Sequence, residues 1–257
     1  MRMLIFLSLS VMCGLTSGVG QEMRVDLRGD TGPYPVALWK KQWPECAYED
    51  GIAEGRVELI QDDGSHWLRT LYPKGSHGSD QGGAGWRFPL RNEMGLTLRY
   101  DLVFEPDFDF VKGGKLPGLC GGKKTITGGD ECNGLEGWSA RVMWRKDGRG
   151  QAYVYHMNQP SKYGDEFDFP KSFRFKLGKR YSIALRVEMN SVGKPDGKLM
   201  VWVNEEKLVE RLDMEWRALE DIGVNGLLFN TFHGGSGESW APSRDCHARF
   251  GNFTWIK

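Results

Sequence analysis

GWSARVMWR (137–145), KDG (146–148) and RGQAYVYH (149–156) form the stretch that decides the fold. Side chains of a strand point to opposite faces in turn. In the first segment Ser139, Arg141 and Met143 therefore share one face, and Trp138, Ala140, Val142 and Trp144 the other. In the second, Tyr153 and Tyr155 share a face opposite Ala152, Val154 and His156. A three-residue hairpin loop is a type I turn followed by a left-handed residue, usually Gly, in a bulge. Gly148 suits that place. Arg145 then pairs with Arg149, Arg141 with Tyr153, and Ser139 with Tyr155, with the polar groups on one side. A two-residue Asp147-Gly148 turn would slip the register by one and turn both tyrosines away from Arg141.

The same alternation recurs outward from this hairpin. Strands are expected over 96–104, 182–189, 198–203 and 226–231. Turns are expected at Pro195-Asp196-Gly197 and Asn204-Glu205. Residues 213–220 are expected to form one short helix capped by Asp213. The chain holds 35 Gly and is 12% aromatic, with no long helical periodicity, which favours short strands and tight turns. The expectation is an all-β, jelly-roll sandwich of two antiparallel sheets with few short helices. No repeat or low-complexity linker divides residues 21–257, so they read as a single domain and a monomer.

Residues 1–20 read as an export signal: Arg2 gives a positive start, Met3 to Met12 an apolar core, and Gly18 and Gly20 a cleavage site before Gln21. The apolar run is too short to span a membrane. This points to a secreted or periplasmic protein. Export leaves Cys46, Cys120, Cys132 and Cys246, enough for two disulfides. Cys120–Cys132 is the favoured pair because it closes the glycine-rich loop, leaving Cys46–Cys246. No CxxC pair or finger-like His spacing marks a metal site, and no motif demands a cofactor. With 34 basic and 34 acidic residues, the net charge of zero gives no sign of a nucleic-acid binder. Locally, residues 111–149 hold eight Lys and Arg against four Asp and Glu, an excess of four.

Cations beside phenols suit one reaction in particular. A uronic-acid polymer is cut by β-elimination when a base removes the proton at C5 and an acid protonates the leaving oxygen at C4. The C5 proton becomes acidic only when the neighbouring carboxylate is neutralised and the developing enolate held. Lys115, in KGGKLPGLCGG (112–122), and Arg141 can do this, and Arg can grip a carboxylate with two bonds. Tyrosine ionises near pH 10, so a tyrosine base needs a depression of about two to three units, or about 3 to 4 kcal/mol. Nearby cations in a partly dry cleft can supply it.

KGGKLPGLCGG, GWSARVMWR and the Tyr-Val-Tyr strand together resemble polysaccharide lyase family 14, which includes alginate and glucuronan lyases on a jelly-roll fold. FNTFHGG (229–235) and Trp240-Ala-Pro242 resemble its C-terminal part. The resemblance implies that Lys115, Ser139, Arg141, Tyr153 and Tyr155 line the cleft. Lys115 and Arg141 would engage the carboxylate, a tyrosine would serve as base and acid, and Ser139 would hydrogen-bond nearby. It leaves open which tyrosine acts and which uronate is cut.

Lys112, His233 and Trp240 are secondary candidates for substrate contact. The run DEFDF (165–169) is similar to the paired carboxylates of β-sandwich glycoside hydrolases, but Pro170 stands where a third acid belongs. A non-catalytic module binding acidic polysaccharide is the alternative, since sandwiches serve both roles. Such a binder has no need of a close Lys–Arg–Tyr–Tyr group.

Overall fold

A computed structural model describes residues 22–235 and 237–257. The expected export signal lies outside the described residues. Among the described residues, no helix is long and apolar enough to cross a membrane.

Among the described residues, fifteen strands and one α-helix follow in order: β1 (Met23–Arg24), β2 (Gly32–Pro33), α1 (Val36–Gln42), β3 (Val57–Asp62), β4 (Ser65–Tyr72), β5 (Ala84–Glu93), β6 (Gly95–Phe104) and β7 (Gly113–Gly122). Then come β8 (Gly137–Arg145), β9 (Gly150–Tyr155), β10 (Asp165–Asp168), β11 (Arg180–Glu188), β12 (Gly197–Val203), β13 (Glu206–Met214), β14 (Val224–His233) and β15 (Cys246–Ile256). They form two antiparallel sheets. The larger runs β13-β12-β11-β6-β15-β4-β3-β2, with β1 also on β15; the smaller runs β10-β9-β8-β7-β14-β5. Neighbours far apart in sequence, such as β5 with β14 and β6 with β15, make this the expected jelly-roll sandwich.

Aromatic side chains from the two inner faces fill the space between the sheets. Trp86 of β5 stacks flat on Phe229 of β14, with centroids 3.9 Å apart. Phe250 and Phe253 of β15 meet Phe229 from the opposite sheet. Trp43, just after α1, packs edge-on against Trp86, Phe229 and Phe253. The seven-residue α1 thus plugs one side of the core with Trp39 and Trp43. Its N-cap is Pro35, with no side-chain cap, and it spans barely two turns. A helix that short owes its existence to packing rather than propensity, so its sequence carries little periodic signal.

The helix expected over 213–220 is not formed. Asp213 lies in β13 and pairs with Arg211, an exposed strand contact. Beyond it, the buried Asn190 side-chain oxygen accepts the backbone N–H groups of both Trp216 and Arg217. Trp216 is driven against Trp138. These anchors hold the segment as an irregular loop.

The expected disulfides are also absent: Cys46, Cys120, Cys132 and Cys246 are all free thiols. Cys120 points from mid-strand β7, its Sγ near the Gly226 carbonyl of β14. Cys132 turns instead toward the Gly137 carbonyl, 3.3 Å away. Each thiol is seated by its own surroundings, so closing the loop does not bring the pair together. Burial pushes Cys46, Cys132 and Cys246 up to about 12, which keeps them protonated.

Candidate active site

The β8–β9 hairpin takes the three-residue loop. Asp147 and Gly148 both have positive φ (60° and 71°), and the register pairs Arg141 with Tyr153 and Ser139 with Tyr155. The opposite faces, Trp138, Ala140, Val142 and Trp144, are fully buried in the core. The polar faces therefore project to the other side of the six-stranded sheet.

β7 completes the floor. Pro117 sits in this central strand without an N–H to offer the ladder. Both of its neighbours shift register there: between Lys115 and Gly118 against β8, and between Leu228 and Phe232 against β14. The bulge lets Lys115 and Gly118, three residues apart, both face the cleft. A side chain at Gly118 would collide with the Ala140 carbonyl and the Arg141 stem. Glycine there is what lets Arg141 lie across β7.

Arg141 is 1% exposed. Its Nη1 donates to Asn230 Oδ1 at 3.2 Å and its Nη2 to Thr127 Oγ1 at 2.9 Å, while its Nε has no acceptor. No carboxylate pairs with it among the described residues. Lys115 Nζ lies 3.9 Å from the centroid of the Tyr153 ring and 3.1 Å from Met143 Sδ, again with no carboxylate in ion-pair contact among the described residues. Burial, with Arg141 and Arg145 nearby, pushes the Lys115 ammonium well below its ordinary range.

The two phenols differ. Tyr155 is 1% exposed, and its oxygen accepts the Gly129 N–H at 3.0 Å. Tyr153 is 7% exposed; its oxygen accepts the Gly164 N–H at 3.1 Å and lies 3.4 Å from that of Tyr155. Burial, then the adjoining Tyr155, raises the Tyr153 phenol above its ordinary range, outweighing the Gly164 N–H and Arg141. Ser139 Oγ donates to the Ile126 carbonyl at 2.5 Å. Ser139 is thus turned toward the β7–β8 loop, which also supplies Thr127 and Gly129.

The structure brings all five expected residues onto one face. The secondary candidates divide. Trp240 and Lys112 sit together, with Lys112 Nζ 5.8 Å from the indole centroid and 2.8 Å from Ser239 Oγ. Arg145 approaches the same ring at 5.7 Å. His233 does not reach the cleft, correcting the expectation of a substrate contact. Alternation along β14 sends it inward with Phe229 and Thr231, where it stacks on Phe108 and meets Tyr72 and Trp144. Its Nε2 donates to the Asp109 carbonyl at 2.7 Å, and burial lowers its ionisation to about 4, so it is a neutral core residue.

Sequence reading missed Asn230, Thr127, Met143 and Gln151. Asn230 lay within a quoted motif, and Met143 on a face already identified. Gln151 pairs with Met143 on the face of Tyr153 and Tyr155, whereas Thr127 carries no local signal. DEFDF divides between faces: Asp165 turns away to bond His156, whereas Glu166 pairs across from Tyr153 and lies 3.5 Å from Arg145. Among the described residues, one group of metal-ligand types brings Glu105 and Asp107, on the loop after β6, against His247 of β15. Its atoms are already engaged, Glu105 by Arg69 and His247 by Asp107.

The polysaccharide lyase 14 family model matches residues 60–253. No curated protein sequence matches the chain. Among solved structures, the chain is similar to alginate lyase Aly36B at 24% identity, covering 93% of this chain and 98% of that one, with a TM-score of 0.81. It is similar to the marine PL-14 alginate lyase from Aplysia kurodai at 29% identity, covering 94% and 100%, with a TM-score of 0.77. Alginate lyase vAL-1 from Chlorella virus gives 25% identity, coverage of 79% and 89%, and a TM-score of 0.68. With three quarters of its length matched by the family and its cleft residues gathered on one face, the chain belongs to polysaccharide lyase family 14.

Proposed function

We propose that this lyase cleaves an acidic polyuronate, alginate before glucuronan, by β-elimination. One observation carries the reading: the Arg141 guanidinium is held beside two phenols and Lys115 with no carboxylate partner among the described residues. Burying a cation without a counter-charge is costly. A substrate carboxylate would supply the missing charge, and an excluded-water setting would strengthen the contact. Resemblance to alginate lyases at 25 to 29% identity favours alginate.

Arg141, braced by Asn230 and Thr127, grips the C6 carboxylate and takes up charge as the enolate develops. The C5 proton goes to a base, the C4–O bond breaks as the C4–C5 double bond forms, and an acid protonates the departing oxygen. The sequence reading gives both proton transfers to a tyrosine. The electrostatics favour dividing them, because environments that push two ionisations apart mark out base and acid. Lys115, lowered by burial and two arginines and set against the Tyr153 ring, is the amine placed to accept the proton. Tyr153, raised by burial, stays protonated and donates to the leaving oxygen. Tyr155 and Ser139 hold the Tyr153 phenol and the loop in place.

Lys112 and Trp240 extend the cleft at one end as a sugar platform, the indole stacking on a ring and the ammonium meeting a carboxylate. The chain is further proposed to be exported and to act as a monomer. A non-catalytic binding module would have no use for a Lys–Arg–Tyr–Tyr group gathered this closely. The test is ultraviolet absorbance of the unsaturated product on mixing the protein with poly-mannuronate, poly-guluronate and glucuronan. A rise with one polymer is expected, and its loss in Lys115→Ala and Tyr153→Phe. No rise with any of them, or full activity in both variants, would refute the reading.

A further inference from the structure

Every ring of a polyuronate bears a carboxylate, so a cleft that grips one ring must meet the charge of the next. We propose that Arg87 is a second carboxylate-binding residue, recognising the uronate next to the one held by Arg141. This assignment rests on the polyuronate reading above.

Arg87 lies on β5, the edge strand of the six-stranded sheet. Register across the sheet places Glu166, Tyr153, Arg141, Gly118, Leu228 and Arg87 in one row on the cleft face. Three strand spacings separate β5 from β8, about 14 Å between backbones. Gly226 of β14 narrows that gap. A Cβ there would lie 2.7 Å from Arg87 Nε and 2.7 Å from Cys120 Sγ. Glycine leaves a trough in which the Arg87 stem lies across β14 toward Cys120, whose register partner is Ser139. The guanidinium therefore leans from the edge strand over β14 toward the end of β7.

Two neutral oxygens fix it there. Its Nη2 donates to the Gly122 carbonyl at 3.0 Å and to Asn225 Oδ1 at 2.6 Å. Its Nε is buried without an acceptor, and no carboxylate pairs with it among the described residues. Arg87, half-buried where Arg141 is buried, shares with it neutral hydrogen-bond partners and no ion-paired carboxylate among the described residues. Tyr48, 41% exposed, stands near both cations and near Asp50, which bridges Gly85 two residues along β5. With Lys112 and Arg145 beside Trp240 at the other end, cations recur along the cleft, as a polymer charged on every ring requires.

The variant that separates recognition from scaffolding is Arg87→Gln. Glutamine can still donate to Gly122 and Asn225 but carries no charge. The readout is steady-state elimination of uronate oligomers of increasing length. Arg87→Gln should raise KM for long oligomers about tenfold, the size of one charge-assisted hydrogen bond. The kcat should stay unchanged, the shortest cleavable oligomer should be little affected, and Arg87→Lys should recover most of the loss. An unchanged KM at every length, or an equal change on short and long oligomers, would overturn the assignment. Titration of a uronate tetramer onto Tyr153→Phe protein, with and without Arg87→Gln, reads the same contact without turnover. Arg87-dependent binding alongside an inactive wild type would refute the lyase mechanism and leave the Arg87 site standing.

Discussion

Arg141→Met should make this protein more stable while destroying its activity. The guanidinium is buried to 1% exposure, has neutral partners at two nitrogens, and leaves Nε without an acceptor. Removing an ion from water costs several kcal/mol even after relaxation, and nothing of opposite charge offsets it here. Two hydrogen bonds from a charged group return about 1.5–3 kcal/mol each, and the unpaired Nε–H subtracts about 1–3 kcal/mol. Methionine has a similar shape and fills the channel over Gly118 without any of these terms. It leaves Asn230 Oδ1 without a donor, at about 1–3 kcal/mol, whereas the partly exposed Thr127 hydroxyl can turn to water. The balance is a gain of about 1–3 kcal/mol, the range seen when buried charges give way to apolar groups. In a chain of this size each kcal/mol moves the unfolding midpoint by about 2–4 °C. The assay is thermal unfolding of both proteins with and without a uronate oligomer. The wild type should gain stability with ligand and the variant should not. A variant less stable than the wild type by more than about 1 kcal/mol would refute the account of Arg141 as an uncompensated cation.

The lowered Lys115 ionisation makes stability pH-dependent. Between the folded value and about pH 10.4 the unfolded chain binds more protons, so stability rises with pH, and Lys115→Met should flatten that rise in urea titrations. The same group predicts that kcat/KM climbs on the acid side as Lys115 loses its proton, with Tyr153 deprotonation setting the alkaline limb; an acid limb unchanged in slope and position when Arg145→Ala relieves the repulsion on Lys115 would count against Lys115 as base. Phe229→Ala removes the ring stacked on Trp86 and should cost about 3–5 kcal/mol in chemical unfolding. With all four described thiols free, the unfolding midpoint should be the same with and without reductant; a drop on reduction would reveal a bridge.

Much of the site was legible because it is local. Arg141 meets Tyr153, and Ser139 meets Tyr155, through a three-residue loop and strict alternation, and both are properties of twenty consecutive residues. The glycines of the Lys115 loop were visible too, as places where backbones or side chains must cross closely. What failed did so for stated reasons. The helix at 213–220 lost to a buried Asn190 distant in sequence, and the thiols were seated by different carbonyls. His233 sat in a motif that looked like a cleft, but the inward phase of β14 buried it.

The sequence alone therefore determined the strand-rich character and the paired polar strands, since period and turn length act over neighbours in the chain, while Lys115 joined the set through the family resemblance. Only the tertiary structure decided the surroundings of Arg141, Lys115 and Tyr153. Asn230 and Thr127 reach Arg141 across 89 and 14 residues of chain, the Pro117 bulge aims Lys115 at Tyr153, and Gly226 lets Arg87 lean inward. Ionisation follows from how much water and how many charges surround a group. Those surroundings come from strands adjacent in the sheet and remote in the chain.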